Sequence, residues 1–283
     1  MNAPRNALTV DVEDYFQVSA FERHIDRASW PQLPGRVEAN VDRILTLLAT
    51  AGVRATFFTL GWIAERYPAM VRAIVTAGHE LASHGYGHWR ASEQTRAQFE
   101  HDISVSKALL EQIAGVAVRG YRAPSFSIGP ANLWALDALY EAGYSYSSSI
   151  YPIRHDHYGM PDSPRFAHRP LGPHGVLELP LSTVRAAGRN WPAAGGGYFR
   201  LMPYRVARAL IRHINEQERQ PAIFYFHPWE LDPAQPRQRG LSWKTRTRHY
   251  LNLHRMEARV TRLLHDFQWD RIDRIFLESL CQA

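Results

Sequence analysis

The chain has 283 residues, of which 45% are hydrophobic and 12% aromatic, enough to bury one large core. No apolar run approaches the roughly 18 residues of a membrane span, and the single cysteine, Cys281, excludes an intramolecular disulfide and a thiolate metal cluster. The net charge is +6, but the basic residues are spread along the chain without a recognised nucleic-acid motif. We therefore expect a globular protein with no transmembrane segment and no nucleic-acid partner.

Strands and helices alternate through the first half of the chain. Strands are predicted over residues 7–12, 54–60, 79–84 and 118–124, and helices over residues 37–52, 65–78, 92–115 and 130–143. In the first of these helices, Val37, Val41 and Leu48 fall on one face, and Gly52 follows the last turn. Strands separated by helices of this length indicate parallel βαβ units. Their repetition favours a closed or nearly closed barrel, with its chemistry at the carboxyl ends of the strands.

The second half of the chain departs from this alternation. Residues 151–203 are rich in Pro, Gly and His, and we predict strands and loops inserted over one rim of the barrel. Beyond them we predict a helix over 203–217, a strand over 222–228, a second inserted loop over about 230–250, and a C-terminal helical extension over about 250–283. The whole chain, 1–283, is expected to be a single domain.

Two histidines, His84 and His88, lie four residues apart in the sequence ELASHGYGHWR. Gly85 and Gly87 stand between them and argue against a helix, because each glycine costs about 1 kcal/mol relative to alanine there. The pattern instead predicts a strand end that runs into a loop and brings both imidazoles to one point. Such a pair can bind a metal ion.

Side chains suited to metal binding or acid–base chemistry follow four of the predicted strands. Functional groups at the carboxyl ends of several strands are what a barrel active site needs. Two imidazoles and one carboxylate, with water in the open position, form a common catalytic zinc site. The first strand offers a choice of carboxylates, since alternate residues share one side of a strand and the strand can also end early. The candidate residues are Asp11, Glu13, Asp14, His84, His88, Arg122 and His227.

Four short motifs, in this order, resemble those of the polysaccharide deacetylase superfamily, the carbohydrate esterases typified by chitooligosaccharide deacetylase. They are TVDVED at the first strand end, HGYGH at the histidine pair, YRAPSF around Arg122, and FYFHP ending in His227. Within the superfamily, DVEDYFQV, RAPSFS and HYLNLHRMEAR most resemble the deacetylases associated with exosortase (PEP-CTERM) exopolysaccharide systems of Gram-negative bacteria. The resemblance covers nearly the whole chain.

The resemblance implies a fold, an activity and a cofactor. The fold would be an α/β deformed (β/α)7–8 barrel, with inserted β and loop segments over the active-site rim. The activity would be metal-dependent hydrolysis of N-acetyl groups from amino sugars of a bacterial exopolysaccharide or its precursor. The divalent metal would be zinc, with Co²⁺ or Ni²⁺ as alternatives, held by His84 and His88 together with Glu13 or Asp14.

The same resemblance implies how the remaining residues would act. Asp11 would accept a proton from water as general base, and Arg122 would pair with it and favour its charged form. His227 would donate a proton to the leaving amine. One position departs from the family pattern: Ser147 stands where the fourth motif often carries an acid that orients the late histidine. The partner of His227 is therefore left open.

Substrate contacts are expected from aromatic residues in the rim loops and from the segment after Arg122. Sugar rings stack their C–H faces on aromatic side chains, and backbone N–H groups near Ser125 and Phe126 would hold a developing oxyanion. The candidate substrate-binding residues are Tyr86, Trp89, Pro124, Ser125, Phe126 and Trp229.

Two other functions remain open at this point. Related barrels hydrolyse cyclic amides or ureides, although the long aromatic insertion favours a polymer. A non-catalytic glycan-binding protein is the other alternative, favoured by Ser147. The partner would be an N-acetylated oligo- or polysaccharide. The first residues show no signal-peptide pattern, so we expect a cytoplasmic protein, with peripheral association with a polysaccharide-export assembly as a variant. The sequence leaves the oligomeric state open.

Overall fold

The fold is built on an eight-stranded parallel sheet, which a computed structural model describes over residues 4–156 and 158–278. The strands are β1 (Asn6–Val12), β2 (Thr56–Thr59), β3 (Glu80–Ser83), β4 (Gly120–Tyr121), β5 (Tyr146–Ser147), β6 (Leu177–Glu178), β7 (Thr183–Ala186), β8 (Arg189–Pro192), β9 (Ile223–Phe226) and β10 (Trp269–Asp270). In spatial order the strands of the sheet run β10-β1-β2-β3-β4-β5-β6, and β9 also pairs with β1. Strands β7 and β8 form a separate antiparallel hairpin.

The sheet curves into a half-barrel centred on β1. One edge of β1 pairs with β2, in the register Thr9 to Thr56, and the other pairs with β9, in the register Ala7 to Ile223. Among the described strands, β6 and β9 do not pair with each other. The Ser182 hydroxyl lies in this gap and accepts a hydrogen bond from the Ile223 N–H at 2.7 Å. The prediction of an α/β fold with a deformed barrel is confirmed.

Nine helices are described, and most cover the outside of the sheet. They are α1 (Val37–Ala51), α2 (Gly61–Arg66), α3 (Pro68–Thr76), α4 (Arg96–Ala114), α5 (Trp134–Glu141), α6 (Gly196–Leu201), α7 (Tyr204–Glu216), α8 (Trp243–Tyr250) and α9 (Leu253–Asp266). No helix in the described part of the chain has the length and apolar character needed to cross a lipid bilayer.

The first strand shows how the sequence directs side chains to either face of the sheet. All seven residues of β1 are buried, and alternate residues point to opposite faces. Leu8 and Val10 join the core cluster that contains the buried face of α1. Thr9 and Asp11 point to the other face, where both contact Arg122. The strand thus places one polar pair inside the barrel and an apolar row beneath the helices.

The predicted helix over 65–78 is in fact two helices, which meet between Tyr67 and Pro68. Proline is well suited to the first turn of a helix, where its missing N–H has no intrahelical partner. Pro68 therefore begins α3 and does not interrupt a longer helix.

The two predicted insertions require correction. Residues 151–203 contain β6, which is a strand of the barrel sheet, and the helix α6, as well as the β7–β8 hairpin. Residues 230–250, predicted to be a loop, contain α8. Its residues are mostly polar, with only His249 and Tyr250 buried, so no apolar periodicity marked it as a helix. Its capping residue, Ser242, accepts a hydrogen bond from the Thr245 N–H.

The predicted C-terminal helical extension over 250–283 is also only partly right. Helix α9 is present, but the chain then returns to the sheet as β10, where Trp269 pairs with Asn6 of β1. This segment is therefore part of the barrel. Residues 279–283, including Cys281, lie outside the described residues.

Candidate functional site

Three buried side chains converge at the carboxyl ends of β1 and β3. Glu13, His84 and His88 each offer one ligand atom, and these atoms lie within 4.8 Å of one another. The closest pair joins His88 Nε2 to Glu13 Oε2 at 2.8 Å. We call these three residues the Glu13 cluster.

The loop after β3 brings the two imidazoles together. Gly85 has a positive φ of 75° and His88 one of 55°, so the chain turns sharply where a helix would continue straight. The Asp102 carboxylate, on α4, accepts a hydrogen bond from the Tyr86 N–H at 3.2 Å and holds the turn. A Cβ at Gly85 would lie 2.7 Å from that carboxylate, which leaves no room for a side chain.

The chemistry of the Glu13 cluster fits a divalent metal ion. The Nδ1 of His84 lies 2.8 Å from the Arg122 carbonyl oxygen, which can only accept a hydrogen bond, so Nδ1 carries the proton. Nε2 of His84 is then free to act as a ligand, in the arrangement usual for metal-bound histidine. Two imidazole nitrogens and a carboxylate oxygen are a donor set for zinc and the neighbouring transition metals.

The charges in the cluster also suit a cation-binding carboxylate. Burial would raise the pKa of Glu13, but the neighbouring charges of His88 and His227 outweigh burial and lower the pKa to about 2. Glu13 is therefore ionised at neutral pH.

Asp14 lies outside this cluster, which corrects its candidacy as a metal ligand. Its carboxylate accepts hydrogen bonds from the backbone N–H groups of Tyr15 at 2.8 Å, Arg36 and Val37. It thereby caps the first turn of α1, where a negative charge is favoured. These hydrogen bonds hold the Asp14 side chain at the start of the helix, apart from the histidines.

Asp11 and Arg122 form a buried ion pair beside the cluster. Arg122 Nη1 donates to Asp11 Oδ1 at 2.6 Å and to the Thr9 hydroxyl at 2.7 Å. The other side of the guanidinium donates to the Ser148 carbonyl and hydroxyl. Arg122 is fully buried, and every contact fixes it in place. The second oxygen of Asp11, Oδ2, is left facing His227.

His227, at the end of β9, closes the other side of the site. Its Nε2 lies 4.0 Å from Asp11 Oδ2 and 3.6 Å from Glu13 Oε1. Burial would lower the pKa of His227, but the negative charges of Glu13, Glu230 and Asp11 outweigh burial and raise the pKa to about 9. The imidazole is therefore protonated at neutral pH, with Nε2–H directed at the site.

Glu230 is the partner of His227 that sequence reasoning missed. Its Oε2 lies 3.1 Å from His227 Nδ1, and its Oε1 accepts a hydrogen bond from Arg200 Nε at 2.8 Å. Burial would raise the pKa of Glu230, but Arg200 and His227 lower it to about 2. We call His227, Glu230 and Arg200 the His227 triad. In the sequence HPWE, Glu230 follows His227 by three residues, which is the spacing of a capping box. This spacing was the sequence signal that could have identified Glu230 as the partner of His227.

The His227 triad needs a glycine on α6. A Cβ at Gly196 would overlap the Glu230 carboxylate, and the neighbouring Gly195 has a φ of 97°. The Gly-Gly pair at the start of α6 therefore allows the backbone to approach the buried carboxylate closely.

Comparison with known proteins agrees with this geometry. A family model described as "Polysaccharide deacetylase" matches residues 29–147, and one described as "Domain of unknown function (DUF3473)" matches residues 148–277. The peptidoglycan deacetylase of Helicobacter pylori is 31% identical over 113 residues, which are 40% of this chain and 38% of that protein. The chitooligosaccharide deacetylase of Sinorhizobium fredii is 28% identical over 143 residues, which are 50% of this chain and 60% of that protein. The chain is thus similar to polysaccharide deacetylases over its first half.

A solved structure extends the likeness over the whole fold. A Mycobacterium smegmatis protein described as a polysaccharide deacetylase superposes with a TM-score of 0.66 at 20% identity, covering 98% of this chain and 90% of that one. At this identity the likeness shows the fold alone. The chain spans about 38% and 60% of the lengths of the two curated relatives above.

The deacetylase match and the match of unknown function meet inside one sheet. The boundary at residue 147 falls at the end of β5, which pairs with β6 on the other side of the boundary. The deacetylase match contains His84, His88 and Arg122, whereas His227 and Glu230 lie in the region of unknown function. Both regions thus contribute to one site.

The predicted substrate-binding residues fall into two groups. Trp89 is 45% exposed, with the Arg27 guanidinium 3.8 Å from its ring centre, and Tyr86 is partly exposed on the same loop. Trp229, in contrast, is buried between the rings of His227 and His249. Its Nε1 donates to Glu13 Oε1 at 3.1 Å, so it supports the site and offers no free face to a sugar.

The segment after Arg122 is also more enclosed than predicted. Phe126 packs against Tyr151, Tyr158 and Tyr225, and its N–H already donates to the Ala123 carbonyl. Pro124 is buried, and the Ser125 hydroxyl contacts that of Ser19. The expectation that the Phe126 N–H holds an oxyanion is therefore wrong.

Proposed function

We propose that the chain is a metal-dependent N-deacetylase that removes acetyl groups from N-acetylated amino sugars. One observation carries the proposal: a two-histidine, one-carboxylate cluster lies beside a buried Asp11–Arg122 pair, with His227 Nε2 3.6 Å from Glu13 Oε1. These are the parts that hydrolysis of an amide needs, namely a cation site, a proton acceptor and a proton donor.

The cofactor is a divalent ion, zinc in our proposal, held by Glu13, His84 and His88. When bound, it supplies Lewis acidity that polarises the amide carbonyl and lowers the pKa of water. The hydrogen bond from His84 Nδ1 to the Arg122 carbonyl orients that ligand, and the Trp229 N–H orients Glu13.

Asp11 is the general base in this proposal. Arg122 occupies Oδ1, which leaves Oδ2 to accept a proton from the attacking water as its oxygen bonds to the acetyl carbon. The guanidinium has no freedom to move, because Thr9 and Ser148 accept its other hydrogen bonds. Asp11 is thereby held in one orientation through the reaction.

His227 is the general acid. It holds a proton on Nε2 and donates it to the sugar nitrogen as the C–N bond breaks, so the products are acetate and a free amine. Glu230 accepts the Nδ1–H bond and stabilises the imidazolium, in the place of the acid that Ser147 does not supply. The Arg200 contact holds Glu230 in turn.

The substrate class is an N-acetylated oligo- or polysaccharide. The relatives named peptidoglycan deacetylase and chitooligosaccharide deacetylase support this class, and Trp89 offers an exposed aromatic face beside the histidine loop. Within the class, we propose a bacterial exopolysaccharide or its precursor, on the motifs DVEDYFQV, RAPSFS and HYLNLHRMEAR that resemble exosortase-associated deacetylases. We further propose a cytoplasmic location, which cell fractionation would test.

Acetate release from a panel of N-acetylated glycans tests the activity, with metal-stripped and zinc-reconstituted protein compared side by side. We expect release that depends on the metal. Ring opening of small cyclic imides or ureides without acetate release would instead identify the cyclic-amide hydrolase. Saturable binding of an oligosaccharide with no acetate released at any metal loading would identify a glycan-binding protein.

A further inference from the structure

A cavity of about 400 Å³ opens at the surface between the loop that precedes α8 and the first turns of that helix. Three arginines line it, Arg237, Arg239 and Arg246, together with Gln238, Gly240 and Leu241. We call this feature the arginine pocket. It lies outside the Glu13 cluster and the His227 triad.

The arginine pocket carries positive charge that the protein does not neutralise. Within the described residues, none of the side chains of Arg237, Arg239 and Arg246 forms an ion pair with a carboxylate, although most buried or clustered arginines elsewhere do. All three are exposed: Arg237 and Arg239 lie in the loop before α8, and Arg246 lies on the helix. Three uncompensated guanidinium groups around one cavity favour an anionic ligand.

The walls of the pocket are fixed by buried contacts. The Arg237 guanidinium lies 4.3 Å from the ring centre of Tyr250, and the Tyr250 hydroxyl accepts a hydrogen bond from the Gln238 N–H at 2.8 Å. The buried Gln235 holds the start of the segment through the Trp229 carbonyl and His249. Arg237 and Arg239 therefore project from a loop whose backbone is fixed by these contacts.

An exposed tryptophan stands beside the arginine pocket. Trp243, the first residue of α8, is 80% exposed, more than any other large hydrophobic side chain in the described part of the chain. Lys244 follows it, with its exposed ammonium 3.5 Å from Asp156. An exposed indole ring on the same helix as Arg246 suits the surface of a bilayer, where the ring enters the headgroup region.

We propose that the arginine pocket and Trp243 form a docking surface for an anionic lipid bilayer. The arginines bind the phosphate groups of lipid headgroups, and Trp243 inserts between them. An acidic soluble polymer would use the arginines, but it would leave the indole exposed to water, so the bilayer accounts for both features. The surface is distinct from the proposed catalytic residues and its docking does not depend on them.

Docking would hold the proposed active site close to the bilayer. A series of ring contacts connects the two places: His227 stacks on Trp229 at 5.2 Å and Trp229 on His249 at 4.3 Å, and Tyr250 meets His249 edge-on at 4.6 Å, with Arg237 over the Tyr250 ring. The arginine pocket is thus joined to the proposed general acid by a short series of buried ring contacts.

Sedimentation with vesicles tests the proposal, using phosphatidylcholine with and without phosphatidylglycerol at low and high salt. We expect the full chain to bind only the anionic vesicles, and more weakly at high salt. A basic side chain near an anionic surface strengthens binding about fivefold, so the triple variant Arg237→Gln, Arg239→Gln, Arg246→Gln should bind roughly 10²-fold more weakly. A matched control, Arg185→Gln, Arg205→Gln, Arg219→Gln, removes the same charge from exposed arginines elsewhere and should retain most of the binding.

Trp243→Ala supplies an independent variant, since an exposed side chain can be removed without loss of the fold. We expect weaker vesicle binding, and a blue shift in tryptophan emission on wild-type binding that this variant lacks. Equal losses in both triple variants, or no binding to anionic vesicles, would overturn the proposal. Tight binding of a soluble sulfated polysaccharide with none to vesicles would overturn it in favour of a polyanion site.

Discussion

The Glu13 cluster and the His227 triad hold their side chains in different ways. Glu13 and His84 directly follow strands, and His88 lies on the turn after β3, so the path of the backbone brings all three to one point. In the His227 triad a fully buried carboxylate, Glu230, is held by Arg200, thirty residues away in sequence and on a different element. The cluster therefore depends on the path of the backbone, and the triad depends on a buried ion pair.

This difference has an energetic consequence. Removal of one partner of a buried ion pair leaves an uncompensated charge and costs about 3–5 kcal/mol of stability, more than the loss of an exposed pair. Substitutions in the His227 triad should thus affect both folding and chemistry. Substitutions in the Glu13 cluster should mainly affect metal binding.

The largest effect is expected from Glu13→Ala, which should lose the bound metal and all detectable acetate release. The neighbouring Asp14→Asn should keep both, because its side chain caps α1 and does not reach the cluster. It should instead lower the free energy of unfolding by about 1–3 kcal/mol, because both carboxylate oxygens accept backbone N–H groups and the asparagine NH2 cannot replace one of them. Metal content, acetate release and urea unfolding separate the two. If Asp14→Asn lost the metal and Glu13→Ala kept it, Asp14 and not Glu13 would be the metal ligand.

Asp11→Asn should lower kcat by about 10²–10⁴-fold while the metal stays bound. Asp11 is outside the cluster, and an asparagine keeps the shape of the side chain but accepts no proton. Arg122 loses its charged partner, so unfolding should be measured alongside steady-state kinetics. Activity near that of the wild type, with metal present, would mean that another group accepts the proton.

Glu230→Gln should shift the basic limb of the pH–rate profile to lower pH. The acid works only while His227 is protonated, and Glu230 is one of the charges that raise the pKa of His227 to about 9. Without that charge the pKa falls, and activity is lost earlier as the pH rises. Glu38→Gln removes an exposed negative charge elsewhere and should leave the limb in place. An unchanged limb in Glu230→Gln would show that Glu230 does not act on His227.

The smallest effect, and the sharpest test of the triad's packing, comes from two adjacent glycines. Gly196→Ala would place a methyl group on the Glu230 carboxylate, whereas nothing lies within 4 Å of a Cβ at Gly197. We expect Gly196→Ala to destabilise the fold by about 1–3 kcal/mol. Gly197→Ala should be neutral or slightly stabilising. Thermal unfolding of both variants measures the difference, and equal values would refute the close approach.

The sequence predicted those parts of the site in which each residue is positioned by the strand next to it in the chain. Asp11 near the end of its strand, and Glu13 and His84 directly after theirs, could be recognised because these side chains stand at a fixed place relative to the strand end. The repeated alternation of strands and helices predicted the barrel. The direction of Asp14 could not be predicted, since it depends on hydrogen bonds from Arg36 and Val37, more than twenty residues away in sequence.

The parts of the site that depend on contacts between residues far apart in the chain could not be predicted from the sequence. Arg200 and Glu230 lie on segments predicted to be loops, and their contact depends on how α6 and β9 pack. Trp229 looked like a sugar-binding ring, because a sequence does not show that His227 and His249 cover its faces. Helix α8 was missed because its buried residues, His249 and Tyr250, are adjacent and follow no helical period.

The close approach of Gly196 to Glu230 gives a rule for classifying related sequences. A chain that carries glutamate three residues after the late histidine should also carry glycine at the position of Gly196, since any larger residue would exclude the carboxylate. A chain with an acid at the position of Ser147 has no such need, and its α6 can begin with any helix former. Two positions far apart in an alignment should therefore vary together, and they would sort relatives into two lineages by how each one orients its histidine.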